Sequence, residues 1–153
     1  ILKISKHKYS ELTHQKKYLT LLSLFKAQKY KDVVDGFEAL NNSTILTNNS
    51  GTRRVLSDVF YYWRARAFLE MGEYQNALNE TFRFRPVNNQ ASVGYILDHY
   101  WPKKDYIKGL AYEGLEDEIN ARRSYQDFFS VWSNADNSLP EVVDAKQKLE
   151  NLR

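Results

Sequence analysis

Three residues near the amino end, His7, Glu11 and His14, recur at i, i+4 and i+7, which places them on one face of any helix that begins that early. Two imidazoles and a carboxylate are competent ligands for a divalent metal. A catalytic zinc site also needs supporting partners, and the chain offers only one further histidine, His99, and no cysteine. The trio therefore reads as solvated polar residues on a terminal helix, and neither a metal nor another cofactor is expected. Asp98-His99 is an acid–base couple by composition, yet no serine or cysteine nucleophile in a glycine-flanked turn accompanies it. The six glycines form no phosphate-cradling cluster. Glu116-Asp117-Glu118 lacks the spacing of a calcium loop. The sequence points away from an enzyme.

The elements that could position these residues follow from composition and period. The chain has 153 residues, 42% of them apolar, with 3 Trp, 11 Tyr and 8 Phe. This suits one globular unit and excludes a solvated disordered tail. With no cysteine there is no disulfide framework, and the compartment stays open, a cytoplasmic location being slightly favoured over a periplasmic one. The longest nearly apolar stretch, Tyr18 to Phe25, is far short of the ~20 residues that span a bilayer, so no membrane insertion is expected. No signal peptide is visible, and a start at Ile1 suggests a fragment or a processed form. The net charge is +3, but residues 1–31 hold eight lysines and one acid, giving +7 there and −4 over the remainder. The other basic residues, Arg53-Arg54, Lys103-Lys104 and Arg122-Arg123, are scattered pairs, so nucleic acid is not an expected partner.

The chain repeats itself at an interval of 44 residues. Tyr18, Tyr62 and Tyr106 form one column; Leu24, Phe68 and Tyr112 another. Leu21, Ala65 and Gly109 share a third, Val33, Ala77 and Ala121 a fourth, and Leu40, Phe84 and Phe128 a fifth. Ala27, Met71 and Leu115 are apolar throughout, and Phe37, Thr81 and Tyr125 agree at two of three. A register shared over so many columns without gaps argues one unit used three times.

Within a unit the apolar period is helical: Tyr61, Ala65, Phe68 and Leu69 line one face. Gly72 can end that helix in the left-handed conformation, and Tyr74, Ala77, Leu78 and Phe82 start the next, which stops before Pro86. The spacing predicts helices over about 11–27 and 31–41 in the first unit. In the third it predicts one ending near Leu115 and one running from an acidic turn to about Trp132. Residues 41–51 and 88–90 read as loops by composition, and Tyr95 to Trp101 as extra helix broken at Pro102. Ser138 and Glu141 have capping-box spacing, followed by a helix with Leu139, Val142, Leu149 and Leu152 on one face. No stretch alternates strictly, so no strands are expected.

These columns resemble tetratricopeptide (TPR) repeats. Ala65, Phe68, Gly72, Tyr74 and Ala77 match that motif in the second unit, Gly109, Tyr112, Ala121 and Tyr125 in the third, and Leu24, Tyr30, Val33 and Phe37 more loosely in the first. The period is 44 here against the family's 34, so each unit carries about ten extra residues that lengthen the first helix and the inter-unit loop. The resemblance implies an all-α, TPR-like α-solenoid: three antiparallel helix pairs, over about 14–50, 58–94 and 102–133, and a C-terminal capping helix over about 139–152. A second, local similarity, Tyr125 to Trp132 with Ala135-Asp136, Leu139-Pro140 and Ala145, is to the repeat-domain tail of bacterial multidomain signalling proteins.

The resemblance implies non-catalytic binding of a partner protein or peptide, a scaffold or adaptor role, in a concave groove. Tyr18, Tyr62 and Tyr106 would form a ladder down its wall with Leu22, Arg66 and Leu110 beside them. With Lys103 these seven are the candidate partner-binding set, tyrosine supplying rigid area and a hydroxyl and basic residues steering acidic partners. Helical spacing alone does not separate a groove-facing ladder from rings packed between helices. Leu22 and Leu110 replace the polar clamp of the family's chaperone-tail binders, so capture of a free carboxylate is not expected. The alternative is a regulatory or sensory domain of a bacterial signalling protein (kinase, cyclase or transcription regulator) that binds a small ligand or a neighbouring domain. A third reading is self-association through the helix faces.

Overall fold

The computed structural model describes residues 6–42, 50–84, 103–132 and 139–152, with side chains from Lys16 onward in the first helix and from Val59 onward in the third. Among the described residues the chain is all-α, with seven helices and no strand. They are α1 (Lys6–Lys26), α2 (Tyr30–Asn41), α3 (Ser50–Glu70), α4 (Tyr74–Arg83), α5 (Lys103–Gly114), α6 (Glu118–Trp132) and α7 (Pro140–Asn151). No helix among the described residues is long and apolar enough to cross a membrane.

Helix ends obey the sequence period. Lys26, Glu70 and Gly114 close α1, α3 and α5, and Tyr30, Tyr74 and Glu118 open α2, α4 and α6, each series stepping by 44 residues. α1 and α3 are 21 residues each, and the corresponding helix of the third unit, α5, is 12 residues long. α1 already starts at Lys6 and α3 at Ser50, earlier than the apolar pattern implies. Asn41 belongs to α2 and Ser50 to α3, which shortens the loop expected over 41–51.

The three turns are conformational copies. Gln28, Gly72 and Glu116 hold positive φ of 59°, 72° and 60°. The N–H groups of Lys29, Glu73 and Asp117 donate to the carbonyls of Leu24, Phe68 and Tyr112 at 2.9–3.0 Å, and those of Gln28, Gly72 and Glu116 to Phe25, Leu69 and Glu113. This is the Schellman closure, which satisfies the last carbonyls of a helix. Only Gly72 adopts it without crowding a Cβ; a side chain there costs about 1–2 kcal/mol, partly offset by glycine's greater chain entropy. Gln28→Gly and Glu116→Gly should each therefore raise stability by about 0.5–1 kcal/mol, and Gly72→Ala should lower it by a similar amount. Thermal unfolding of the three variants checks this, and a lower midpoint for the two glycine variants would refute it.

The second helices bury their apolar stripes. Val33, Phe37 and Leu40 in α2 and Ala121, Tyr125 and Phe128 in α6 repeat at i, i+4 and i+7 and are all buried. Glycines set the approach of their partners: a Cβ at Gly36 would overlap Leu21, and one at Gly109 would overlap the Tyr125 ring. Asp117 precedes α6, and its carboxylate accepts the N–H and side-chain amide of Asn120 at 3.1 and 2.7 Å. Those hydrogen bonds hold the Asp117 carboxyl below its ordinary range.

Each helix packs on the next in the chain, and α3 also meets α5. Between the first two units Phe37 lies 5.5 Å from Phe60 and Phe25 lies 5.2 Å from Trp63, centroid to centroid. The Trp63 indole donates to the Tyr18 hydroxyl at 3.2 Å. The same seam buries Arg64, which pairs with Glu38 of α2 and with Glu80 of α4 at 3.2 Å. Arg83 joins Glu80 at 3.1 Å and covers the Tyr61 ring at 4.5 Å. Between the second and third units Ile107 packs with Tyr62, Ala65 and Phe84, and Ala111 with Ala77 and Leu78.

α7 packs on α6, burying Val142 and Ala145 against Tyr125 and Phe128. Leu139 is its N-cap with no side-chain cap bond, and Pro140 fills the first turn, where a missing N–H costs nothing. Ser138 of the expected capping box lies outside the described residues, and the Glu141 carboxylate pairs with Lys103. Residues 88–90, the extra helix expected over Tyr95 to Trp101 and the Asp98-His99 couple also lie outside them.

Candidate functional site

α3, α5 and α7, with Tyr74 at the head of α4, enclose a cleft of about 600 Å³. Arg66 and Glu70 come from α3, Leu110 and Glu113 from α5, and Asp144 and Lys148 from α7. Arg66 and Glu70 are one turn apart on α3, as are Asp144 and Lys148 on α7, so each helix presents both residues on one face. Gly114 shapes one wall, since a Cβ there would overlap the ring of Tyr74.

Polar bonds between α5 and α7 fix that side of the cleft. The Tyr106 hydroxyl donates to Asp144 at 2.7 Å. Lys148 donates to Glu113 at 2.7 Å, and the same Glu113 oxygen accepts the Tyr125 hydroxyl at 2.7 Å. Lys103 donates to Glu141 at 2.6 Å. Burial pulls the Glu141 carboxyl upward, but the hydrogen bond and charge of Lys103 outweigh it and hold the group below its ordinary range. On the facing wall Arg66 and Glu70 pair at 3.8 Å.

Burial, and then donation to a carboxylate, pushes the phenols of Tyr106 and Tyr125 above the ordinary tyrosine range. The folded chain thus keeps two protons that the unfolded chain releases near pH ~10. Their contribution to stability is complete below that value and is lost as pH rises through the folded values. An alkaline absorbance titration should show phenols that ionise only as the chain unfolds, and Tyr125→Phe should shrink that late fraction. Full reversible ionisation around pH ~10 with helicity retained would contradict the geometry.

Of the seven residues singled out in the sequence, Arg66, Tyr106 and Leu110 meet in this cleft. Tyr18 and Leu22 pack against the first core cluster around Phe37. Tyr62 is 5% exposed, its ring edge-on to Trp63 at 5.3 Å. Lys103 is tied to Glu141. The tyrosine column is thus packed between helices, and only Tyr106 (8% exposed) also lines the opening. Sequence reasoning passed over Glu70, Tyr74, Glu113, Asp144 and Lys148. Glu70 and Glu113 lie three or four positions from Arg66 and Leu110 on the same helix face, a signal that was present; the α7 pair falls outside the period and carried none.

The cleft offers carboxylate acceptors, an arginine and a lysine as donors, and apolar wall from Leu69, Leu110 and Tyr74. Among the described residues no group of three or more His, Cys, Asp or Glu side chains could hold a metal ion. His7, Glu11 and His14 lie on the helical backbone of α1, but their side chains fall outside the described residues. Comparison with protein-family models, curated proteins and solved structures finds no match.

Proposed function

We propose that the chain is a non-catalytic interaction module that holds an extended peptide segment of a partner protein in the cleft between α3, α5 and α7. The units are read as a TPR-like solenoid of three antiparallel helix pairs, with α7 as the capping helix. The observation that carries this reading is the convergence of Arg66, Tyr106 and Leu110 in one opening of about 600 Å³. Five of its ten lining residues are charged. A peptide brings backbone amides and mixed side chains that such a lining can pair, whereas small-ligand sites are mostly apolar. That difference favours a peptide over a small regulatory ligand.

The test is selection of peptides from a random displayed library on the native chain, followed by affinity measurement on variants. Arg66→Ala and Leu110→Ala change half-buried side chains and should leave helicity intact. Each is expected to weaken the selected peptide about tenfold. A library that yields no binder, or peptides that bind the variants as well as the native chain, would overturn the proposal.

A further inference from the structure

The two inter-unit seams use equivalent positions, and the same positions one period earlier are uncovered. Trp63 contacts Tyr18 and Phe25 of the preceding unit; Ile107, 44 residues on, is fully buried against Tyr62, Ala65 and Phe84. Arg64 pairs with Glu38; one period later Lys108 lies 5.5 Å over the ring of Phe82. Ala67 and Ala111 are fully buried in the two seams. One period before these lie Leu19, Thr20 and Ser23 of α1, all exposed, with Leu19 at 60%. Beside them Leu21, Gly36 and Leu40 floor a trough of about 390 Å³ rimmed by Lys16, Lys17 and Thr20.

The repeat itself says what fits there. In both covered seams the occupant is a helix, α2 against α3 and α4 against α5. Residues 1–31 carry +7, and two of those lysines stand on the rim. We infer that this face of the first unit docks an acidic amphipathic helix, its apolar stripe in the trough over Leu21, Gly36 and Leu40 and its carboxylates against Lys16 and Lys17. The site is separate from the α3–α5–α7 cleft and does not depend on it.

The probe is a stapled helical peptide of about 14 residues with a leucine stripe flanked by glutamates, and its control carries lysines on the same flanks. The acidic peptide should bind the native chain and the control should not. Thr20→Asp, at an exposed position on the rim of the trough, should weaken binding about tenfold. Lys16→Glu with Lys17→Glu should abolish it and admit the lysine-flanked control, while Arg66→Ala should leave it unchanged. Equal binding of both peptides, binding of neither, or indifference to the α1 variants would overturn the inference. So would a concentration-dependent dimer dissolved by Thr20→Asp, which would give the face to a second copy of the chain.

Discussion

Replacing Tyr125 by alanine is expected to lower the unfolding free energy by about 3–5 kcal/mol. The ring is fully buried, 6.3 Å from that of Tyr106, and its hydroxyl donates to Glu113. Its removal opens a void between α5 and α6 that Gly109, with no side chain, cannot fill. Tyr125→Phe keeps the ring and should cost only about 1 kcal/mol, because Glu113 retains Lys148. Gly109→Ala forces a Cβ into the Tyr125 ring and should cost about 1–3 kcal/mol. The two sites are coupled: in the Tyr125→Ala background Gly109→Ala has room, so the double variant should be more stable than the sum of the singles by at least about 1 kcal/mol. Urea unfolding followed by circular dichroism measures all four chains, and strictly additive effects would contradict the packing of ring on glycine.

Arg64→Met should cost about 3 kcal/mol. Arg64 is 8% exposed and bridges Glu38 of α2 to Glu80 of α4, itself 6% exposed. Burial raises the Glu80 carboxyl above its ordinary range, against the pull of Arg64 and then Arg83. Without Arg64, Glu80 keeps only Arg83; Glu38 is more open to water, so screening limits its share of the loss. Glu80 therefore holds its proton more tightly folded than unfolded. A group raised in this way favours the fold below its unfolded value near pH ~4.3 and loses that contribution as pH rises through the folded value. Removing Arg64 raises Glu80 further, so the deficit relative to the native chain should narrow as pH falls from about 7 to about 5. Adding Glu80→Gln should restore much of the stability at neutral pH. A deficit that ignores pH, or a double variant as weak as the single, would assign the loss to packing of the arginine stem instead.

The helices and their interval were legible because apolar columns such as Val33, Ala77 and Ala121 must face a core, and all three are fully buried. The turns were legible in place but not in shape. Of the three turn positions only 72 is glycine, yet Gln28 and Glu116 adopt the same left-handed φ, because the Schellman hydrogen bonds and the packing of the following helix fix the backbone whatever the side chain. The direction of the tyrosines was not legible: Tyr62 and Trp63 are neighbours on a wide helix face, and only tertiary contacts decide which ring is enclosed. Nor was the Arg64–Glu38 pair, which joins residues 26 apart in sequence through the docking of α3 on α2. Two residues of the cleft escaped for a related reason. Asp144 and Lys148 sit on a helix outside the repeat, so their place beside Tyr106 and Glu113 follows from how α7 docks rather than from any column.

Amide chemical-shift mapping of the isotope-labelled chain with the library-selected peptide tests the binding account most directly. The shifts are expected to concentrate on α3, α5 and α7, around Arg66, Leu110, Asp144 and Lys148. Shifts centred instead on the outer faces of α2 and α6, with the cleft residues unmoved, would contradict it.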